Sequence, residues 1–319
     1  MSASTAGKMM MGLLSLSGLL GCVSFERVTS PPLEPPRDGA GWIQGAGGVR
    51  LYFAAKAPAG EPWGVVYFVL GPEIGSTEPY PEFTVALHAS GLATAVLHPR
   101  GAGFSDGVRG DIDDYRLFLG DLRLGLERVR GTFPGKAIFL FGQSAGATLA
   151  LQVAVTAEPP LAGLVLVNPA YRMTYGEGLG PALPDYLVYG FNAVFRRSAL
   201  TVDMNSNPSA VRNAADREEA LRMQRDPLVV RYFSMRYLLA QREVMNACPV
   251  NAAAVDAPLL LVQGAEDALV DPRGNDEILA AARTADKVKL VATKGAHGSS
   301  AVESVVEELL GWLRAHHPE

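Results

Sequence analysis

Short apolar runs recur along the chain and alternate with stretches of helical periodicity. "VRLYFAA" (49–55) and "GVVYFVLG" (64–71) read as early strands, followed by "ATAVLH" (93–98), "AIFLF" (137–141), "LAGLVLVNP" (161–169), "APLLLVQG" (257–264) and "KVKLVAT" (287–293). Between most of them apolar residues return at helical spacing, in "YPEFTVALHASG" (80–91), "DYRLFLGDLRLGLERVRG" (114–131), "AGATLALQVAVTA" (145–157) and "AVESVVEELLGWLRAHH" (301–317). Strands alternating with helices predict a mainly parallel sheet covered on both faces, with the chemistry beyond the carboxyl ends of its strands. The alternation breaks between 170 and 256, where aromatic residues and helical charge patterns occur without an evident strand. An excursion of that length predicts a helical cap over the strand ends.

The amino-terminal pattern is different. Lys8 precedes an apolar stretch from Met9 to Gly21, shorter than the ~20 residues a spanning helix needs, and it reads as an export signal. It ends in "LLGC" (19–22), which resembles the lipobox of bacterial lipoproteins. That resemblance implies removal of residues 1–21 and acylation of Cys22, hence an exported protein anchored in a membrane. A plain secreted protein and an uncleaved anchor are the competing readings. Val23 and Ser24 lack the aspartate associated with inner-membrane retention in enterobacterial lipoproteins, which makes the outer membrane the expected location. "SPPLEPPRDGAG" (30–41) is rich in proline and polar residues, so residues 22–41 read as a tether and 42–319 as one folded domain beginning near Trp42.

Composition narrows the picture further. The chain of 319 residues is 48% hydrophobic and 19% charged, a globular balance. Its net charge of −5 comes with no block of lysine and arginine that could follow a phosphate backbone, which argues against a nucleic-acid partner. With Cys22 acylated, Cys248 has no partner for an internal disulfide and reads as a small buried apolar residue.

Two segments fit the pattern GxSxG, "GQSAG" (142–146) and "GFSDG" (103–107). A nucleophile elbow needs a strand running straight into it, glycines two residues either side, and a helix starting at once. Ser144 meets all three conditions. The helix after it would aim unpaired N–H groups at a developing oxyanion, with the Ala145 N–H as one donor. Ser105 sits in "HPRGAGFSDG" (98–107) and is followed by a polar loop, so it reads as a turn residue. A serine hydroxyl needs a base, and the base needs a buried acid. In this architecture the partners follow in the order serine, acid, histidine, which sets aside His88 and His98. His316 and His317 end the last helix and read as solvated tail residues, leaving His297 in the glycine-rich loop "TKGAHGSS" (293–300). For the acid, "LLLVQGAEDALVDP" (259–272) offers Glu266, Asp267 and Asp271. Asp267 lies in the loop just past the strand and leads. Asp271, before a proline, looks more like a helix-start residue.

With these residues placed, the chain from 49 to 315 resembles the α/β-hydrolase family, in particular its monoacylglycerol lipase and lysophospholipase branch, also described as serine aminopeptidase-like. "HPRGAGFSDG" is similar to the branch's turn D-x-R-G-x-G-x-S-D-G, "GQSAGA" to its elbow G-H-S-M-G-G, "GAEDALVDP" to its acid loop and "KGAHG" to its histidine loop. His98, Gln143 and Ala147 depart from those patterns at positions that affect packing more than chemistry. "LGPEIG" (70–75) replaces the usual H-G-x-G, and Pro72 has no N–H where the second oxyanion donor normally stands. Either Glu73 supplies the donor, with the loop shifted by one residue, or the oxyanion hole is weakened.

The resemblance implies an α/β-hydrolase fold with a helical cap insertion and a triad of Ser144, His297 and Asp267. It implies cleavage of carboxylic esters, lipid-like ones such as monoacylglycerols or lysophospholipids, with no metal or organic cofactor. The apolar face of "PDYLVYGFNAVFRRSALT" (184–201) would line an acyl groove. Amide hydrolysis by the same triad, and a binding lipoprotein whose site has decayed, are the alternatives.

Overall fold

The computed structural model describes residues 24–36, 40–71, 79–174, 183–204 and 211–317. Cys22 and the oxyanion-loop residues Pro72 and Glu73 lie outside them.

Ten strands and ten α-helices are formed by the described residues. The central sheet comprises β1 (Ala40–Gln44), β2 (Arg50–Lys56), β3 (Gly64–Val69), β4 (Leu92–Leu97), β5 (Ala137–Gln143), β6 (Gly163–Val167), β9 (Leu259–Gly264) and β10 (Lys287–Ala292). Its order is β1-β2-β4-β3-β5-β6-β9-β10. The β1–β2 and β2–β4 pairs are antiparallel, and every later neighbour is parallel. This is the mainly parallel sheet the alternation predicts.

Strands β3, β4 and β6 are buried at every position, because both faces of the sheet are covered. Side chains alternate between two cores as the pleat requires. Tyr67, Leu97, Leu140, Leu166 and Leu261 face a core shared with Phe118, Leu122 and Leu126 of α2 (Tyr115–Thr132). Phe68, Phe141, Val165 and Val262 face the other, shared with Phe83 and Leu87 of α1 (Pro81–Ala89) and with Leu309 and Leu313 of α10 (Val306–Ala315). Helix α3 (Ala145–Ala154) starts on the residue after Ser144, and α8 (Pro272–Ala281) links β9 to β10. The final helical stretch is divided: α9 (Ser300–Glu303) is separated from α10 at Val305, which leaves the helical region at φ −137°, ψ 27°. His316 is not a solvated tail residue, since its ring lies against Trp312 and bonds to Asp286 at 3.0 Å. His317 packs its ring on Trp63.

The excursion between β6 and β9 holds α4 (Leu183–Phe195), α5 (Ala214–Arg225), α6 (Met235–Asn246) and α7 (Cys248–Ala252). It also holds a separate antiparallel pair, β7 (Leu200–Asp203) and β8 (Tyr232–Ser234), where the sequence showed no strand. Two strands of four and three residues, far apart in the chain, are too short to display an alternation. Cys248 is fully buried as expected, and burial pushes its thiol up to about 12.

The cap is fastened to the 103–113 loop. Gly110, at φ +74°, brings the two backbones so close that a Cβ there would fall 1.7 Å from the Tyr232 carbonyl. Buried Arg109 donates to the Gly103 carbonyl at 3.0 Å and to the Leu228 carbonyl at 2.5 Å. The Asp111 carboxylate, wholly buried, meets Arg236 at 2.5 Å and Arg27 at 2.9 Å. Arg27 lies in the stretch expected to be a loose tether. Residues 25–29 instead pack down: Phe25 stacks on Tyr232, the Phe25 N–H donates to Leu200 O, and the Val28 and Thr29 carbonyls accept from Arg109 and Gly107. The folded body therefore takes in residues before Trp42, because an aromatic ring and an arginine in this otherwise polar stretch find a partner ring and a buried carboxylate.

Candidate active site

Ser144 closes the turn between β5 and α3 at φ +53°, ψ −120°, a region that costs a non-glycine residue ~1–3 kcal/mol and persists only when the surroundings impose it. Here they do. The Ser144 N–H donates to Val167 O at 2.9 Å, and its carbonyl accepts from Ala170 N at 3.1 Å and Ala147 N at 3.1 Å. Gly142 and Gly146 make room for the turn: a Cβ on Gly142 would lie 2.3 Å from Gly146 O, and one on Gly146 would lie 2.3 Å from Val69 O. The turn thus presses against the end of β3 and the Leu70–Gly71 backbone just after it. Ala145, as first residue of α3, has no carbonyl four positions back within the helix for its N–H.

The Ser144 hydroxyl lies 2.9 Å from His297 Nε2, and His297 Nδ1 lies 2.9 Å from Asp267 Oδ2. The three residues singled out in the sequence, 153 positions apart at the extremes, form one hydrogen-bonded line. Asp267 is held for this contact because its other oxygen, Oδ1, accepts from the Leu269 N–H at 2.8 Å and the Val270 N–H at 3.0 Å. Burial by itself pushes the His297 imidazole down. The hydrogen bond and charge of Asp267, with smaller contributions from Asp216 and Glu219, outweigh that and leave it above the ordinary histidine value.

The competing residues are occupied elsewhere. Asp271 caps α8, accepting from Arg273 N at 3.0 Å, and pairing with the Arg273 side chain holds its carboxyl down to about 2. Glu266 accepts from Asn213 Nδ2 at 3.2 Å. Ser105 is 1% exposed, donates to His98 O and accepts the Tyr52 N–H at 2.8 Å. His98 is buried and accepts the Phe104 N–H at 3.0 Å, and His88 bonds Thr94 at 3.0 Å. On α4, Tyr186, Leu187, Val194 and Phe195 face solvent, so part of the apolar face expected along an acyl groove points outward.

Four further residues belong to the site. Gln143 donates to the His297 and Gly298 carbonyls, each at 2.6 Å, and so acts on the histidine loop itself. Asn168, buried at φ +43°, donates to Ala296 O at 2.7 Å and accepts the Gly264 N–H at 2.8 Å, tying the acid strand to the histidine loop. Asp216 and Glu219 on α5 accept N–H groups of the same loop. In the sequence Gln143 shows only as a departure from the elbow pattern and Asn168 as an asparagine at a strand end where a left-handed residue is tolerated, while Asp216 and Glu219 leave no signal. Among the described residues no group of histidine, cysteine and carboxylate side chains is arranged to hold a metal ion, and no helix is long and apolar enough to cross a membrane.

This geometry can be set beside known proteins. Residues 60–300 match the family described as "Serine aminopeptidase, S33". The chain belongs to that family. Among similar proteins, human monoglyceride lipase is 24% identical over 258 residues, covering 76% of this chain and 78% of that protein. Monoacylglycerol lipase of Mycolicibacterium smegmatis is 25% identical over 288 residues, covering 85% and 95%. In three dimensions, a soluble variant of monoglyceride lipase from Saccharomyces cerevisiae, solved with a substrate analog, superposes with a TM-score of 0.73 at 16% identity, over 92% of this chain and 100% of that one. At that identity the likeness is one of fold, and it is the α/β-hydrolase fold.

Proposed function

We propose that this protein is a serine hydrolase that cleaves carboxylic esters of lipid type, monoacylglycerols or lysophospholipids, through an acyl-enzyme. The observation that carries this reading is the line Ser144–His297–Asp267 at a strained turn, with distances of 2.9 Å at both links. Ser144 Oγ attacks the ester carbonyl carbon as its proton passes to His297 Nε2. The carbonyl oxygen takes up the negative charge, facing the Ala145 N–H and a second donor expected from Glu73. Collapse breaks the bond to the alcohol oxygen, which leaves with the proton from His297. Water then repeats the sequence on the acyl-serine, releasing the acid and restoring Ser144. Asp267 fixes the tautomer of His297 and stabilises its cation.

The lipid character of the substrate is supported by relatives that bear the names monoglyceride and monoacylglycerol lipase. The family description, serine aminopeptidase, favours amide hydrolysis as the second reading. One panel separates them: monoacylglycerols, lysophospholipids and 4-nitrophenyl esters of increasing chain length beside aminoacyl anilides. Turnover of the long-chain esters is the expected result, and turnover of the anilides alone selects the peptidase. Folded protein that turns over nothing in the panel selects the decayed binding protein.

The anchor belongs to the same proposal. Cys22 is read as acylated and the protein as held at the outer membrane, supported by "LLGC" at the end of the apolar stretch. Phe25, which packs on the cap, is three positions further on (25 − 22 = 3), a reach of only ~10 Å of extended chain. An acyl chain on Cys22 would therefore keep the cap close to the lipid surface. Intact mass of wild type against Cys22→Ser tests this, and identical unmodified masses reject it.

A further inference from the structure

The loop that carries His297 is gripped from two directions. From the body, Gln143 and Asn168 donate to its carbonyl groups. From the cap, two carboxylates accept its N–H groups: Asp216 takes Gly298 N at 2.8 Å and Ser300 N at 3.2 Å, and Glu219 takes Ser299 N at 2.7 Å. Three positions apart on α5, the two side chains share one face of the helix. Asn213 begins that helix, accepting from Ala215 N at 3.1 Å, and its amide reaches Glu266 at 3.2 Å and the Lys294 carbonyl at 3.4 Å. The start of α5 is thereby tied to the acid loop and the histidine loop together.

Gly298 permits the contact, since a Cβ there would lie 2.5 Å from Glu219 Oε2 and 2.7 Å from Asp216 Oδ1. Two like charges in a buried place are costly to keep. Burial raises the Glu219 carboxyl, the Ser299 N–H works against it, and the Asp216 charge raises it again. A glutamine at 219 could accept the Ser299 N–H without that repulsion, so accepting it does not account for the charge there, whereas Asp216 uses both carboxylate oxygens, Oδ2 for Gly298 N and Oδ1 for Ser300 N. Among the described residues, charged groups near the pair include Arg222 on the same helix and His297, itself bonded to Asp267, and Glu266 lies beside Asn213. Of these, His297 gains a positive charge in the reaction proposed above.

We propose that Asp216 and Glu219 are positioning residues of the Ser144 site, a cap-borne clamp that holds the His297 loop in register and adds negative charge near the imidazolium. This rests on the serine-hydrolase reading. It makes the cap part of the catalytic apparatus, because α5 belongs to the excursion between β6 and β9 while the loop it holds belongs to the sheet.

The test uses full-length Glu219→Gln, which keeps shape and an acceptor for Ser299 N and removes charge, and Asp216→Asn, which removes charge and one of the two acceptor oxygens. Two quantities are read: the pH dependence of ester hydrolysis, and the titration of the His297 ring by NMR in a Ser144→Ala background, assigned with His297→Asn. In both variants the acid limb and the ring titration are expected to move to lower pH, and kcat is expected to fall by roughly tenfold with KM little changed. Titrations that coincide with wild type, or a change confined to KM, would overturn the proposal. Gly298→Ala keeps both charges and pushes them away, so it should lower kcat and move the titration in the same direction. A wild-type kcat in that variant would overturn the proposal even if neither carboxylate variant folds. Ring titrations that shift in a protein that hydrolyses nothing would remove the hydrolase reading and leave the clamp. Unmoved titrations in an enzyme that depends on Ser144 would do the reverse.

Discussion

Ser144 and Ser105 sit in the same five-letter pattern, GxSxG, and the two turns use its glycines for opposite reasons. Around Ser105, Gly103 and Gly107 take positive φ, +51° and +116°, so the glycines absorb the unusual backbone and the serine turns inward. Around Ser144 the serine itself takes the positive φ, and Gly142 and Gly146 serve to let backbone approach backbone. The hydroxyls end accordingly: one is sealed between Tyr52 N and His98 O, the other faces an imidazole. A motif written as letters does not distinguish these cases. What precedes and follows does, a strand running straight in and a helix starting at once for Ser144, glycine on glycine and a polar loop for Ser105.

The contrast can be broken by substitution. The largest effect is expected from Ser144→Ala, a loss in kcat of about 10⁶ in assays of the preferred ester. Ser105→Ala should keep the turnover of wild type per folded molecule, and loss of activity there with Ser144→Ala active would reverse the assignment. Asp267→Asn comes next, at about 10⁴ in kcat, because the tautomer of His297 is no longer fixed. A smaller effect concerns pH. His297 must be neutral to take the serine proton, and Asp267 raises its pKa. Hydrolysis should therefore fall tenfold per unit as pH drops through an acid limb lying above the usual ~6.5. A limb below that value would show burial prevailing over Asp267. The smallest change is thermodynamic: Ser105→Ala leaves the Tyr52 N–H without its acceptor in a buried place and should cost ~1–3 kcal/mol in urea unfolding.

The sheet was legible because each strand carries its own apolar run, and Ser144, Asp267 and His297 because each sits in a loop with a local signature. What was illegible is made between segments. Gln143 reads as a change of letter before the nucleophile until its amide is seen on the His297 carbonyl 154 positions away. Asp216 and Glu219 look like exposed charges of a polar helix, since nothing local says that three loop N–H groups await them. Likewise β7 and β8 are too short for a period to show, and the packing of Phe25 and Arg27 depends on Tyr232 and Asp111. Local pattern picked out the three residues that the fold brings into one line, and long-range pairing specified how the cap and the amino-terminal segment attach around them.

The most direct test is the site of attack by a fluorophosphonate, a probe that phosphonylates a serine activated by its own base, with loss of fluoride. After labelling at neutral pH, digestion and mass spectrometry, the adduct should lie on the peptide containing Ser144 and be lost in His297→Ala. An adduct on the peptide containing Ser105, or labelling of Ser144 undiminished without His297, would contradict the account.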